Sequence, residues 1–430
     1  MTVCVVRLNL SCASERDSLL RALDSFRSVT GLYKSSVHVT DTFQFAACRQ
    51  YKANAICTYL QPRQLRLESL PPSARSFLVE ELSYDRVLHR IEDAISVNAS
   101  LASDILCNAS ALLASAIGQD TGLWKGTATD FDCSVARSCM RALFRDWSLE
   151  GVAERSAAHR PILDVLRQES DHGKQKCDFR VLVPGAGLGR LVHAVEQLGL
   201  SVEANDMSYQ TLMIRMYLFG LEEKNAQKPL YPWALSFSNH LSRQDQLRNV
   251  MVPDVYPSNK IKIAESNNDP EGNSTERLVF TIGDFIELYS SPASMNAFSA
   301  VVTCFFIDTS LNFLDYASTA HNCLREGGIW INIGPLLWNT EENGPAGNKE
   351  GDTDEQESWN AQRHQSRTAD GTSLVELTAE EVLLVLQKTG FVIEQADSNI
   401  GNSSYVGNPA SLLQYSYNMV FWVARKKSVL

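Results

Sequence analysis

Phe179-Arg180-Val181-Leu182-Val183-Pro184-Gly185-Ala186-Gly187-Leu188-Gly189-Arg190-Leu191 decides the fold. An apolar run stops at a proline, three glycines follow at alternate positions, and a mixed apolar and polar stretch continues to Leu198. That order reads as a buried strand, a tight turn and a helix. Without β-carbons the turn lets a ligand approach the backbone, and the helix behind it presents free amides at its positive end. The turn is built for a nucleotide-like ligand.

Spacing narrows the ligand. A dinucleotide fingerprint needs glycine at its first, third and sixth positions, and the sixth here is Arg190, which disfavours a nicotinamide oxidoreductase. Glycine at the first, third and fifth positions (Gly185, Gly187, Gly189) suits S-adenosylmethionine better. About 20 residues on, Ser201-Val202-Glu203-Ala204-Asn205 ends at Asp206, where an acid accepts hydrogen bonds from ribose hydroxyls. The alternative is plainer: the glycines only make a turn, and Asp206 caps a helix that starts near Ser208.

The chain has 430 residues, 44% of them hydrophobic, enough for one large core or two modest ones. A net charge of -11 without a basic stripe argues against a nucleic-acid partner. The 10 cysteines form no Cys-x-x-Cys pair and the 8 histidines no His-Glu-x-x-His, so neither a disulfide framework nor a metal site is signalled. Reduced thiols place the chain in cytoplasm or nucleus. No apolar run approaches a membrane span, and Val3-Cys4-Val5-Val6 is broken by Arg7 before it could form a signal core. Arg16 to Arg27 reads as an amphipathic helix, its Asp17 and Asp24 being uncharacteristic of a presequence. The sequon Asn98-Ala99-Ser100 carries no weight in that compartment.

Residues 1–40 read as an N-terminal extension, partly flexible, and 41–170 as a helical cap, with apolar residues at helical spacing from Phe77 to Leu88 and Ile91 to Leu113 after a break at Leu70-Pro71-Pro72-Ser73. Phe144-Arg145-Asp146-Trp147-Ser148 and Glu154-Arg155 read as a solvated helix face held by ion pairs. From 171 to 430 strands and helices alternate, as in a doubly wound sheet. The strands are Ser201 to Asn205, Leu278 to Ile282, Ala300 to Ile307, Ile329 to Ile333 after a turn at Glu326-Gly327-Gly328, Phe391 to Gln395, and Tyr415 to Ala424. Helices run from Tyr209 to Gly220, Leu311 to Leu324 and Ala379 to Lys388. Glu265 to Glu276 reads as a surface loop, the acidic 341–372 as a disordered insertion, and Arg425-Lys426-Lys427 as an exposed end. Asp284 and Asp308 fall at the carboxyl ends of strands, the edge where ligands sit. Each also reads as the start of the helix that follows it.

Val183-Pro184-Gly185-Ala186-Gly187-Leu188-Gly189-Arg190, Leu230-Tyr231-Pro232-Trp233, Cys304-Phe305-Phe306-Ile307-Asp308-Thr309 and Gly327-Gly328-Ile329-Trp330-Ile331-Asn332-Ile333-Gly334-Pro335-Leu336-Leu337 together resemble the carnosine N-methyltransferase family, from about Asp41 to Val423 outside the insertion. The resemblance implies a class I methyltransferase sheet of α/β type, Rossmann-like and mostly parallel with the last strand antiparallel. It implies S-adenosylmethionine as cofactor, no metal, and methylation of the histidine imidazole of carnosine to give anserine. Arg145, Gly185, Asp206, Asp284, Phe285 and Cys304 would hold the cofactor, with Gly187 of the turn. Asp308 would grip one ring nitrogen while the other meets the methyl, fixing the tautomer and stabilising the developing charge. Tyr405, Tyr415 and Tyr417 would flank the ring.

Two residues depart from the family pattern. Asn339 stands where the family has a substrate-contacting histidine, and keeps hydrogen bonding without proton exchange. Asp206 stands for a glutamate. The first leaves room for another imidazole peptide or a protein histidine as acceptor, or for a non-catalytic module that keeps the cofactor fold. The expected partner is a small imidazole dipeptide or histidine-containing peptide, with no nucleic acid and no membrane; a homodimer is compatible with the chain.

Overall fold

A computed structural model describes residues 2–8, 13–27, 51–117, 128–171, 176–265, 276–338 and 375–428. Asn339, the insertion at 341–372 and positions 266–275 of the expected surface loop lie outside them.

The chain opens with strand β1 (Val3–Leu8) and helix α1 (Ala13–Arg27), then α2 (Tyr84–Ile117), α3 (Asp130–Trp147) and α4 (Val152–Ser170). The glycine stretch follows as β2 (Arg180–Pro184) and α5 (Arg190–Gln197). After them come β3 (Ser201–Asp206), α6 (Tyr209–Gly220), β4 (Lys260–Glu265) and β5 (Leu278–Ile282). A short α7 (Phe285–Tyr289), β6 (Phe298–Cys304), α8 (Phe313–Cys323) and β7 (Leu324–Gly334) lead to α9 (Ala379–Lys388), β8 (Phe391–Asp397) and β9 (Val420–Lys426).

Nine strands form one sheet in the order β8-β9-β7-β6-β2-β3-β5-β1-β4. Only β9 is antiparallel to its neighbours within it, the expected architecture. Cover on both faces of the sheet explains why central strands such as β2, β5 and β6 are apolar almost throughout. Val181 and Val183 enter the core on one face, Leu182 the core on the other. The same alternation places Ile329, Ile331 and Ile333 opposite Trp330. One core holds Trp147, Phe219 and Phe280; the other holds Phe313, Trp330, Phe391 and Trp422. The chain leaves central β2 toward β3 and later returns on its other side as β6. The resulting switch point between β2 and β6 opens a crevice at the carboxyl edge.

Several segments differ from the sequence reading. Val3–Leu8, read as part of a flexible extension, pairs in parallel with both β4 and β5. Cys4, Val6 and Leu8 are buried, and Arg7 reaches out to Glu276 at 3.2 Å. The alternating Lys-Ile-Lys-Ile of β4 is the open edge, and lysines there discourage pairing with another chain. Glu326-Gly327-Gly328, expected as a turn, is a bulge inside β7: Phe298 pairs with Leu324 and Ala300 with Ile329, and Gly327 has φ +70°. Tyr417–Asn418 pairs instead with Asn402–Ser403, ahead of β9. Nor is the basic end free: Lys426 is buried, its Nζ donating to Asn296 Oδ1 and to the carbonyls of His321 and Leu324, while Arg425 is shared by Glu169 and Glu394.

Among the described residues, one helix, Tyr84–Ala114, is long and apolar enough to cross a membrane; half of its most apolar window is buried inside the molecule. The buried Asn98 on this helix uses its amide in both directions. It donates to Tyr231 O at 2.9 Å and accepts from Tyr231 N at 2.8 Å. The asparagine of the sequon thus anchors the Leu-Tyr-Pro-Trp segment.

Candidate active site

The glycine turn has three different reasons for its three glycines. Gly185 has φ +66°, and a β-carbon there would lie 2.3 Å from the Phe306 ring. Gly189, at φ +83°, is pressed against Phe219, 2.9 Å from the same construction. Gly187, at φ +53°, meets nothing within 4 Å. Its bare backbone faces open space, a cradle that any side chain would partly fill.

Asp206 arrives at this turn from the end of β3. Its Oδ2 accepts from Gly187 N at 2.8 Å and its Oδ1 from Ser208 N at 3.0 Å. Ser208 itself caps α6, its Oγ accepting from Thr211 N. The alternative role of Asp206 as a cap therefore falls to Ser208, and Asp206 ties the turn to the helix entry. Asp284 does cap: its Oδ1 accepts from Ile286 N at 2.8 Å and Glu287 N at 3.2 Å. Phe285 is buried, its ring 6.0 Å from Phe306 and 5.4 Å from Tyr316. Neither lines the cleft. Both stand beside it, since Gly283 N donates to Asp206 O and Asn205 Nδ2 to Gly283 O, each at 3.0 Å.

A cleft open at its mouth lies between the turn and the helical region. Gly185 and Gly187 line one wall. Arg145, Glu154, His159 and Tyr405 line the other, with Cys304 and Phe305 between them. Arg145 forks onto Asp146, with Nε–Oδ1 at 2.6 Å and Nη2–Oδ2 at 3.1 Å, and its guanidinium carbon lies 4.6 Å from the centre of the Tyr405 ring. Burial works against the Arg145 charge, and Asp146, Tyr405 and Glu154 together outweigh it, so its pKa stands above the ordinary arginine value. Burial pushes the Cys304 thiol up to about 12 despite Arg145, which makes it an uncharged wall and not a nucleophile.

Arg145, Asp146, Glu154 and Arg155 are no solvated face. Asp146, Trp147 and Arg155 are buried. Arg155 donates to Asp254 at 2.5 Å, and Arg190 donates to the same carboxylate at 2.5 and 3.2 Å. Trp147 Nε1 bonds Leu188 O at 3.0 Å and Asp254 N bonds Trp147 O at 2.9 Å. The segment is thereby bolted to the glycine turn. His159, one turn beyond Arg155, also lines the cleft. Burial lowers its pKa to about 4, with Asp146 opposing and Arg145, Arg155 and Arg190 reinforcing, so its ring is neutral near pH 7. Asp254, His159 and Glu154 carried no motif, and only their place in the tertiary structure marks them.

Asp308 is buried four residues beyond Cys304, in a 3-10 turn (Ile307–Thr309) at the end of β6. Its Oδ2 accepts from Leu337 N at 3.1 Å, which ties it to the Gly-Pro-Leu-Leu segment. The cleft wall itself stops short of Asp308. Its charge still reaches the tyrosines. Burial raises the Tyr417 hydroxyl to about 12, with further contributions from Tyr415, Asp308 and Tyr405. Tyr415 and Tyr417 lie edge to face at 6.4 Å, and Tyr405 lies 5.4 Å from Phe305. Phe305 has φ +53°, a strained conformation for a bulky residue and one that turns the chain at the strand end.

A glycine turn with a carboxylate behind it, at the switch point of a sheet with one antiparallel strand, defines a class I methyltransferase. Its cofactor is S-adenosylmethionine, and the open cradle at Gly187 fits it. The carnosine N-methyltransferase family model matches residues 123–428, and the chain belongs to that family. The match begins at residue 123, later than the Asp41 expected from the sequence, so residues 41–122 lie outside it. Carnosine N-methyltransferase of Schizosaccharomyces pombe is 34% identical over 290 residues, 67% of this chain and 69% of that protein. The Drosophila melanogaster protein "Carnosine N-methyltransferase unmet" is 34% identical over 292 residues, 68% of this chain and 55% of its own length. The Mus musculus carnosine N-methyltransferase is 33% identical over 300 residues, 70% and 64%. The chain thus spans between about half and two thirds of these relatives.

Proposed function

We propose that this chain methylates a ring nitrogen of a histidine imidazole, with carnosine to anserine as the leading reaction. One observation carries the reading: the glycine cradle shares a single cleft at the switch point with Arg145 and the aromatic rings of Phe305 and Tyr405. When bound, S-adenosylmethionine supplies a methyl group on a sulfonium that leaves by in-line displacement. The chain has to align a neutral nucleophile with it and keep water out.

The backbone at Gly185 and Gly187 lets the cofactor lie close. Asp206, oriented by the amides of Gly187 and Ser208, has lone pairs left for ribose hydroxyls. Arg145, held by Asp146, presents its remaining donors to a carboxylate. Asp284 and Phe285 act through the loop edge beside Asp206, and Cys304 as an uncharged border.

Asp308 accepts the N–H of the ring nitrogen that does not react, leaving the other nitrogen's lone pair for the methyl. The ring becomes positive as the new C–N bond forms, and the Asp308 charge offsets it. The ring proton then passes through Asp308 to solvent, and the neutral methylated imidazole and S-adenosylhomocysteine depart. Tyr405, Tyr415 and Tyr417 flank the ring and grip the peptide. Asn339, in place of the family's histidine, favours a second reading in which the acceptor is another histidine-containing peptide or a protein histidine. Incubation with methyl-labelled cofactor and carnosine, then other imidazole dipeptides and histidine peptides, tests both. A methylated imidazole in the product spectrum is expected. Tight S-adenosylhomocysteine binding with no transfer to any imidazole would leave a non-catalytic module.

A further inference from the structure

The loop Ser404-Tyr405-Val406-Gly407 hangs on one carboxylate from a distant part of the chain. Glu154, in the first turn of α4, accepts from Ser404 Oγ at 2.7 Å, Val406 N at 2.6 Å and Gly407 N at 3.1 Å. The loop does not hold this shape by its own preferences. Val406 is β-branched yet sits at φ +54°, and a β-carbon on Gly407 would lie 2.7 Å from Ser404. Between these anchors stands Tyr405, its ring against Phe305 and the Arg145 guanidinium. The neighbouring Arg155 donates to Arg145 O at 2.9 Å and Ser148 O at 2.5 Å, so the start of α4 is itself fixed to the Arg145 segment.

We infer that Glu154 is a positioning residue for the acceptor: its carboxylate holds Tyr405 over the cleft and sets acceptor affinity, leaving cofactor affinity alone. The inference deepens the proposed methyl transfer and rests on Tyr405 being part of the acceptor wall. A glutamine at 154 keeps the volume but turns an N–H₂ toward backbone donors, so at least one of the three bonds is lost.

Four full-length variants test it: Glu154→Gln, Gly407→Ala, Tyr405→Leu and the double variant Glu154→Gln with Tyr405→Leu. Each is measured for acceptor KM and kcat at saturating cofactor, for S-adenosylhomocysteine Kd by calorimetry and for thermal midpoint. Glu154→Gln is expected to raise the acceptor KM about tenfold with the S-adenosylhomocysteine Kd within twofold. Gly407→Ala, which displaces the loop while Glu154 stays intact, is expected to do the same even should the glutamine variant fail to fold. In the Tyr405→Leu background, Glu154→Gln should add less than twofold, because the residue it positions is already gone. Additive losses, or a KM unchanged in an active protein, overturn the inference alone. A wild-type chain that methylates no imidazole overturns the acceptor reading and the inference with it.

Discussion

The two walls of the cleft are built in opposite ways. The cofactor side is nearly contiguous: Gly185, Gly187 and Asp206 lie at the ends of two adjacent strands, and the amides of Gly187 and Ser208 both bond the Asp206 carboxylate. The acceptor side collects Glu154 and Tyr405 at the cleft, with Asp308 and Tyr417 beyond its lining, from far-apart segments joined by side chains. A wall made of local backbone geometry should tolerate little change at its glycines and be indifferent to the far side. A wall made of side-chain contacts should lose affinity in steps, one contact at a time.

The sharpest test is Asp308→Asn, expected to slow transfer about 1,000-fold while S-adenosylhomocysteine affinity by calorimetry stays within twofold. Equal losses in both would show the walls to be one structural unit. Next is Gly185→Ala. With φ +66° and Phe306 in the way, it should weaken S-adenosylhomocysteine binding roughly 100-fold, the equivalent of about 2.8 kcal/mol. Gly187→Ala, with open space around it, should cost less. Asp206→Ala removes the acceptor for Gly187 N and should weaken the same binding about tenfold, about 1.4 kcal/mol, without raising acceptor KM.

A smaller effect concerns pH. The folded-state pKa of His159 lies below its unfolded value, so between about pH 6.5 and about pH 4 the unfolded chain binds a proton there that the folded chain refuses. This contribution to stability is present above pH 6.5 and is lost as pH falls toward 4. His159→Gln should flatten that part of the thermal-midpoint profile. An unchanged slope would show that other groups govern it.

How legible each region was in the sequence follows the same division. Phe179 to Leu191 announced the turn because its glycines, its preceding apolar run and its following helix are adjacent. Tyr209–Gly220, Leu278–Ile282 and Ala379–Lys388 were readable to the residue for the same reason. Val3–Leu8 was not. A six-residue strand interrupted by an arginine resembles any short apolar patch until its partners, β4 and β5, are known to lie more than 250 residues away. Glu154 and Arg155 read as surface charges because charge alone carries no information about burial. Arg155 is inside because Asp254 and two carbonyls compensate it there.

By itself the sequence determined the alternating strands and helices, the glycine turn with Asp206 behind it, and the motif that brings Asp308 to a strand end, since hydrophobic period and backbone permissiveness are local properties. Tertiary structure alone decided which strand lies beside which, that β1 completes the sheet, and that Glu154 holds the tyrosine loop from a helix some 250 residues earlier in the chain. Those outcomes depend on which buried donors and acceptors find partners between segments far apart in the chain, and such pairings exist only once the chain has closed on itself.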